Sequence, residues 1–460
     1  MGILSAAQNS NKTRNMEVAF GATDITSAEM REAIRSWFAM YYENNAPENE
    51  DDCQRLPVQI VNKLYRTVFS EYSVSLNGVH KEFLAPIVER LSAVKKRAMQ
   101  LALIGGECFI KPVLSGKTFD FVIVRRDAFA PFARDVHGKI TDVGTTETTV
   151  VGKKHYTLCE RRSVAADGTL TIESRLYMSD SADHIGYNVP LDTLEKYAGI
   201  QPIIAIPVVY NLGMVQVKCP QENTVDGTCD GVSVYAPAVG LIKNINRNEK
   251  LLDEEFENGG SKIIASADML QPGVDGKKKF SDSVFVAIDD DPDTVGVTVF
   301  NPTLREASFL ARKQEYLRNC ESLIGLKRGI LSEVETAERT ARAITSSEGD
   351  YNLTILDFQE MWEMAVKELL YTCIKLGAAY RFIKNGNADI HKEIVIDWGD
   401  GVLYNRDKVW SEYVAMVNSG LIKPEIAVAW YFDMPCETEK DLQKVRDKYM
   451  PLIKQIENDD

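Results

Sequence analysis

The feature that most constrains this chain is the alternation, across its second half, of long helical stripes with one cluster of short strands. Over Val232 to Asn258, Leu241, Ile242, Ile245, Leu252 and Phe256 share a helical face, and Gly259-Gly260 closes the stretch. At 1.5 Å per residue such a helix spans roughly 40 Å, long for a compact domain. Short strand-like runs follow at Lys262-Ile263-Ile264, 283–288 and 295–299. Asn301-Pro302 offers a cap and a first helical position, after which Leu310, Leu317, Cys320 and Ile324 line one side of a second long helix. Gly325 to Glu338 reads as a loop. From Thr340 a third long helix begins, with Phe358, Met361, Trp362, Ala365, Val366, Leu369, Leu370 and Cys373 as its core stripe. A strand at Ile394–Trp398 and two or three short helices end the chain.

The first half has a different texture. Thr26-Ser27-Ala28-Glu29 fits a capping box, and Met30, Ala33, Ile34, Trp37, Phe38 and Tyr41 then follow helical spacing. Two further stripes, Ile60 to Val68 and Leu84 to Leu101, make the first hundred residues read as helical. From Gly105 onward, Cys108-Phe109-Ile110, Phe119–Val124, Tyr156–Cys159 and Thr169–Ile172 read as strands. Turn signals at Ser115-Gly116, His137-Gly138 and Asp167-Gly168 separate them, so an antiparallel meander is expected to about Met178. Ile203 to Tyr210 adds another apolar strand, and 211–231 is a polar loop. The fold class is therefore α+β.

Composition excludes several functions. With 45% hydrophobic and 26% charged residues the profile is globular. No apolar run reaches the roughly 18 residues that a membrane span needs, so no membrane partner is expected. The opening Met1-Gly2-Ile3-Leu4-Ser5-Ala6 lacks a basic region followed by an apolar core, so no signal peptide is expected there. The net charge of −14 argues against tight phosphate binding and would suit a surface that DNA slides past; composition alone favours the plainer reading, solubility. The eight cysteines and five histidines are scattered without metal-binding spacing, so reduced, incidental thiols are expected and no cofactor or zinc. Asp289-Asp290-Asp291-Pro292-Asp293 lacks the glycine and closing glutamate of a calcium loop and reads as a solvated turn. Leu114-Ser115-Gly116-Lys117-Thr118 resembles the end of a phosphate-binding loop, but Lys111 stands where the first glycine belongs. No hydrolase, protease or dinucleotide signature occurs, so an enzyme is not expected.

Several stretches resemble the portal proteins of tailed bacteriophages, most closely those of long-tailed phages of Gram-positive bacteria. Gln59–Lys63 through Val68–Glu71 is similar to the family's early helix, and Gly105-Gly106-Glu107-Cys108-Phe109-Ile110-Lys111-Pro112 to the strand after its Gly-Gly-Glu. Phe300-Asn301-Pro302 resembles the opening of its second stem helix. Thr340-Ala341-Arg342-Ala343-Ile344, Ser346-Ser347 and Thr354-Ile355 resemble its segment after the loop, with Arg342-Ala343 in place of the usual Thr-Glu and Gly349 expected to interrupt the helix. The order of parts over nearly the whole chain carries the resemblance.

The resemblance implies an elongated, portal-like subunit of a dodecameric homo-oligomer. Residues 1–231 would form a helical and β-meander wing, 232–258 the first stem helix, 259–302 a small β clip and 303–325 the second stem helix. Residues 326–339 would be the tunnel loop, 340–404 a kinked long wing helix with its returning strand, and 405–460 a helical crown. It implies a place in the virion at the capsid vertex, and in the host cytoplasm during assembly. Implied partners are double-stranded DNA passing without sequence specificity, the terminase large subunit, a head–tail adaptor, and major capsid and scaffolding proteins. The DNA-facing loop candidates are Lys327, Arg328, Arg339 and Arg342; solvated loop charge is the plainer reading. The docking candidates in the clip are Lys262, Lys277, Lys278, Lys279, Asp289, Asp290 and Asp291. Another ring-forming virion or tail-like-particle connector, or an enzyme with an unrecognised site, are the alternatives.

Overall fold

A computed structural model describes residues 16–42, 54–181, 184–259, 262–265, 271–272, 278–279, 297–300, 303–333, 341–399, 406–432, 434–436 and 438–450; for 262–300, 341–350 and 406–409 the backbone alone is described. The protein is mixed helix and sheet. It divides into two units, Met1–Tyr65 with Glu82–Ala388, and Arg66–Lys81 with Asp389–Asp460.

The first unit opens with helices α1 (Ala28–Tyr42), α2 (Leu56–Val68) and, after strand β1 (Ser73–Leu76), α3 (Lys81–Gly105). The α1 stripe Met30, Ile34, Trp37 and Phe38 is buried, as are Ile60, Val61 and Leu64 of α2 and Leu84, Ile87 and Leu91 of α3. Its cap is Ser27, one residue later than the sequence pattern suggested: Ser27 Oγ accepts from Met30 N at 3.0 Å. Thr26 is instead drawn into the core, where its hydroxyl accepts from Arg126 at 3.0 Å.

Strands β2 (Glu107–Ser115) and β3 (Thr118–Arg125) form a hairpin, and β10 (Val215–Lys218) adds to β2 in a three-stranded antiparallel sheet. Strands β4 (Phe129–Arg134), β5 (Ile140–Val151), β6 (Lys154–Val164), β7 (Leu170–Ser179) and β8 (Tyr187–Val189) pair in chain order, and β9 (Ile203–Ile206) also pairs with β7. The expected strand from Ile203 to Tyr210 stops at Ile206. Val208 and Tyr210 both take positive φ, and the N–H groups of Val209 and Tyr210 turn onto the carbonyl of Gly168. Phe109, Val124, Phe129, Ile140, Val143, Leu212 and Met214 make one core cluster across the strands.

A charged cluster lies inside this unit. Arg126 is 3% exposed and Glu107 fully buried; Arg126 Nε stands 2.9 Å from Glu107 Oε1, although its N–H is not aimed at that oxygen. Arg126 Nη2 donates to Asp230 Oδ1 at 3.0 Å, and Arg134 donates to the same oxygen at 2.7 Å. Gln216 donates to the other oxygen of Glu107. The cluster ties the start of α1, β2, β4, β10 and the loop before residue 232. Beside it the backbones of Gly106 and Gly231 cross: a Cβ on Gly106 would meet Gly231 O at 2.2 Å, and Gly106 has φ +84°.

That crossing shortens the next helix. Val234 N donates to Leu103 O at 2.9 Å, and the Tyr235 hydroxyl donates to Trp37 O at 2.8 Å. Residues 232–235 are held there, a 3₁₀ turn with Pro237 follows, and α4 spans Val239–Asn258 rather than beginning at Val232. Strand β11 (Lys262–Ala265) follows α4. Two-residue β12 (Gln271–Pro272) and β13 (Lys278–Lys279) pair with each other, and β14 (Val297–Phe300) pairs back onto β11. Helix α5 (Glu306–Ile324) returns antiparallel to α4. It starts later than Asn301-Pro302 suggested: Arg305, at its N-cap, is held by three bonds to Glu255, from its backbone N–H at 3.2 Å and its guanidinium at 3.0 and 2.6 Å. Asn301 and Pro302 lie outside the described residues.

Helix α6 (Ala341–Ala379) runs without interruption through Gly349, contrary to the break expected there. Its stripe from Phe358 to Cys373 is buried as read, and Trp362 is fully inaccessible.

The second unit contains β1 paired antiparallel with β15 (Ile394–Asp397) behind the one-turn α7 (Ile390–Glu393). Strand β1 falls in a region read as helical; its partner lies more than three hundred residues along the chain. His80 Nδ1 and Glu393 Oε2 meet at 2.7 Å in buried surroundings. Helices α8 (Arg406–Asn418), α9 (Pro424–Tyr431) and α10 (Glu439–Tyr449) follow. Tyr413 stacks on Trp430 at 5.0 Å, and Arg446 bonds Glu425 at 2.8 Å.

Replacing Trp362 with Ala should destabilise the protein by roughly 3–5 kcal/mol through the cavity left behind. Leu353→Ala, at a position 61% exposed on the same helix, should stay within about 0.5 kcal/mol. Urea denaturation of the two variants checks this. Arg126→Met, which leaves Glu107 and Asp230 buried without their shared cation, should cost about 3–5 kcal/mol in the same assay.

Candidate functional site

The α4–α5 hairpin and the turn after it hold the geometry most suited to a function. Each helix is roughly 30 Å long. Polar ties fix their register: Asn248 Nδ2 donates to Phe309 O at 3.1 Å, Lys313 pairs with Glu249 at 3.1 Å, and Arg305 pairs with Glu255. The inner face holds Ile242, Ile245 and Leu252 from α4 and Leu317, Cys320 and Ile324 from α5, all buried. Phe256 and Leu310, expected on those faces, are instead 47% and 43% exposed, and Leu251, Leu304 and Leu323 are exposed with them. Two antiparallel helices can cover only one side of each other, and the hairpin leaves these apolar side chains in water.

Helix α5 ends in a left-handed Gly325, φ +77°, and the Leu326 N–H reaches back to Glu321 O at 2.8 Å. Lys327 to Ile330 then form a turn closed by Ile330 N to Lys327 O at 3.3 Å, with Gly329 at φ +90°. Arg328 is exposed and Lys327 half-buried. The sequence suggests that these glycines let the loop bend freely; in the structure both occupy fixed left-handed positions. The fully buried Glu321 carboxylate organises the turn. Its Oε1 accepts from Gly329 N at 3.1 Å, Leu331 N at 2.6 Å and Ser332 N at 2.9 Å, and its Oε2 accepts from Ser332 Oγ at 2.7 Å.

The other candidates are less defined. Arg342 lies in the first turn of α6, described by its backbone. Arg339 lies outside the described residues. Lys262 is paired in register with Phe300 on β11–β14, whereas Lys278 and Lys279 belong to the separate β12–β13 pair, so the structure does not bring these lysines into one strand pair. Lys277, Asp289, Asp290 and Asp291 lie outside the described residues. Glu321 was missed because a glutamate near a helix end is common; the closest signal was its place four residues before Gly325 and eight before Gly329.

The segment resembling a phosphate-binding loop is the tip of the β2–β3 hairpin. Ser115 pairs with Thr118, Gly116 takes φ +65°, Lys117 is exposed, and the chain continues into β3. A phosphate cradle needs the N-terminus of a helix after its glycine loop, which this strand does not provide. Among the described residues, no group of three or more histidine, cysteine, aspartate or glutamate side chains could hold a metal. Nor is any helix among them long and apolar enough to cross a membrane. Cys108, Cys159, Cys219, Cys320 and Cys373 are buried and Cys229 and Cys436 exposed. Burial pushes the Cys159 thiol up to about 12 and that of Cys320 to about 11. Such thiols stay protonated at neutral pH and pack as small apolar groups.

A second buried ionic cluster joins Lys111 on β2 to Glu160 and Arg162 on β6, with Arg162 Nε 2.6 Å and Lys111 Nζ 3.4 Å from Glu160 Oε1. Arg162 also donates to the carbonyls of Leu212 and Gly213. Burial alone would raise the Glu160 carboxyl. The charges of Arg162 and Lys111 and their hydrogen bonds outweigh it and bring the carboxyl down to about 2. With every polar end turned inward, this cluster fastens the two sheets together.

No protein-family profile matches the chain. No curated protein matches it. Among solved structures it is similar to a chain from the neck of a native gene transfer agent particle computed with C12 symmetry, at 12% identity and a TM-score of 0.48, covering 92% of this chain and 99% of that one. It is also similar to a chain from the virion of a native gene transfer agent particle, at 11% identity and a TM-score of 0.45, with the same coverage.

A carboxyl held low by the fold stabilises it above the ordinary range and ceases to do so as it protonates. The Glu160 contribution should therefore be present above pH 4.5 and be lost as pH falls toward 2. Glu160→Gln should be less stable than the parent at pH 7, and the gap should narrow between pH 4.5 and 2.5 in denaturation midpoints. A constant gap would contradict this.

Proposed function

We propose that this chain is the subunit of a phage-type portal, a ring that surrounds a DNA channel at one vertex of a capsid. The order of parts supports the reading: α4, the β11–β14 pair, α5, the Glu321-bound turn, α6, β15 and three short helices stand in the order that the resemblance to portal subunits implies. In this reading α4 and α5 are the stem, the strands between them the clip, the turn after α5 the tunnel loop, and the C-terminal helices the crown.

The exposed side chains of the hairpin support it. Leu251, Phe256, Leu304, Leu310 and Leu323 are between 37% and 51% exposed. Covering each against a neighbouring copy would contribute on the order of 1 kcal/mol. A ring closes such contacts head to tail and leaves none unpaired. The paired strands at the far end of the hairpin can likewise meet those of the next copy. A dodecamer is the expected ring.

The net charge of −14 suits a channel whose wall repels phosphate, so that DNA slides without lodging. Lys327 and Arg328 would add a belt of cations to that wall, weak contacts repeated once per copy. The ring would serve head assembly, packaging with the terminase large subunit, joining of a head–tail adaptor, and release of DNA. Its activity is that of a conduit and not of an enzyme.

Replacing Lys327 and Arg328 together with Glu tests the assignment. Like-charge repulsion should shorten the packaged DNA or weaken its retention while rings still form, with rings scored by electron microscopy and packaged length by gel. Loss of rings, or packaging and retention at the parental level, would contradict it.

A further inference from the structure

Glu321 is out of place for a residue of the last turn of a helix. The C-terminal end of α5 carries the negative end of the helix dipole, which disfavours an anion there. Burial adds a desolvation cost, and Glu321 is fully buried. A residue needed only to end the helix would not be a buried carboxylate, because Gly325 in its left-handed conformation already does that. The cost is offset by four donors, the N–H groups of Gly329, Leu331 and Ser332 and the hydroxyl of Ser332, all from the turn that follows. Hydrogen bonds to an ionised acceptor are about twice as strong as neutral ones. Just before the turn, Gly325 lies against α6, where a Cβ on it would meet Thr354 Oγ1 at 2.3 Å.

We infer that Glu321 is a positioning residue: its carboxylate closes residues 327–332 into one fixed turn, so that Lys327 and Arg328 are held at a set place on that turn instead of riding on a mobile arm. The inference rests on the portal reading only for what the two cations meet. The hold itself is a property of this chain. A fixed turn gives each copy in a ring the same cation at the same height, and a loose one would blur the belt.

The test uses the full chain and two variants, Glu321→Gln and Ser332→Ala, beside Lys327→Ala/Arg328→Ala. Hydrogen exchange at the amides of Gly329, Leu331 and Ser332 reads the hold, and binding of a linear DNA duplex at fixed salt reads its use. Glu321→Gln should speed exchange at those amides roughly 10- to 100-fold, with the helix amides of α4 and α6 unchanged. Ser332→Ala, which removes only the hydroxyl bond and spares the buried charge, should speed it about 2- to 5-fold and serves if Glu321→Gln fails to fold. Duplex binding should weaken in Glu321→Gln and in the double alanine variant alike. Amides that remain protected in both Glu321→Gln and Ser332→Ala overturn the inference. So does a Glu321→Gln protein with freed amides and parental binding when the double alanine variant binds less. If the amides are freed and neither variant changes binding, the hold stands and the DNA-facing reading of the turn falls.

Discussion

The first unit depends on the burial of Arg126 among Glu107, Asp230 and Thr26. A guanidinium removed from water costs several kcal/mol unless its donors are met and its charge balanced. Here the partners come from positions 26, 107 and 230, so α1, the β2 sheet and the loop before α4 cannot be placed independently. Arg134 shares Asp230, and Gln216 donates to one oxygen of Glu107, which adds β4 and β10 to the same knot. The crossing of Gly106 and Gly231 follows from it, since the two segments approach more closely than any side chain would permit. The start of α4 at Val239 is set by this knot and not by the pattern of its own residues.

Beyond that point the physics changes from burial to exposure. Helix α6 buries a continuous stripe from Phe358 to Cys373, whereas α4 and α5 cover one face of each other and leave Phe256, Leu310 and Leu323 to solvent. Polar ties at Asn248, Glu249 and Glu255 keep their register, as polar groups do between paired helices that lack a full core. In the proposed ring such a hairpin would be one component of an assembly: its polar ties fix its register, and its exposed side chains would meet neighbouring copies. The strands between the helices and the Glu321-bound turn stand at opposite ends of it, where a ring would present one to other proteins and the other to its lumen.

Much of this was legible in the residues. The α6 stripe from Phe358 to Cys373 was readable because each member is apolar at helical spacing and one face alone is buried. The hairpin turns at Gly116, Gly138 and Gly168 were readable because each requires positive φ, which glycine adopts without strain. Strand β1 was not, since four residues beside a helical stripe carry no period of their own and the partner at Ile394–Asp397 is remote. The Arg126 cluster was invisible for the same reason: its members are separated by up to two hundred positions, and each alone looks like surface charge. For the candidate site, Lys327 and Arg328 could be named from their flanking glycines, but the carboxylate that shapes their turn could not. The exposure of Phe256 and Leu310 reversed a spacing rule, because periodicity marks apolar faces and does not say whether the same chain covers them.

The central claim is that copies of this chain close into a ring whose hole is lined by the α4–α5 hairpins. Class averages of the purified full chain by cryo-electron microscopy, viewed down the particle axis, test it most directly. The account predicts closed rings of rotational symmetry, twelvefold by the portal reading, with the long helices around an open centre and the exposed side chains of Leu251, Phe256 and Leu310 at contacts between copies. A monodisperse monomer at micromolar concentration, or an assembly in which those side chains face water and the hairpins lie away from the axis, would contradict it.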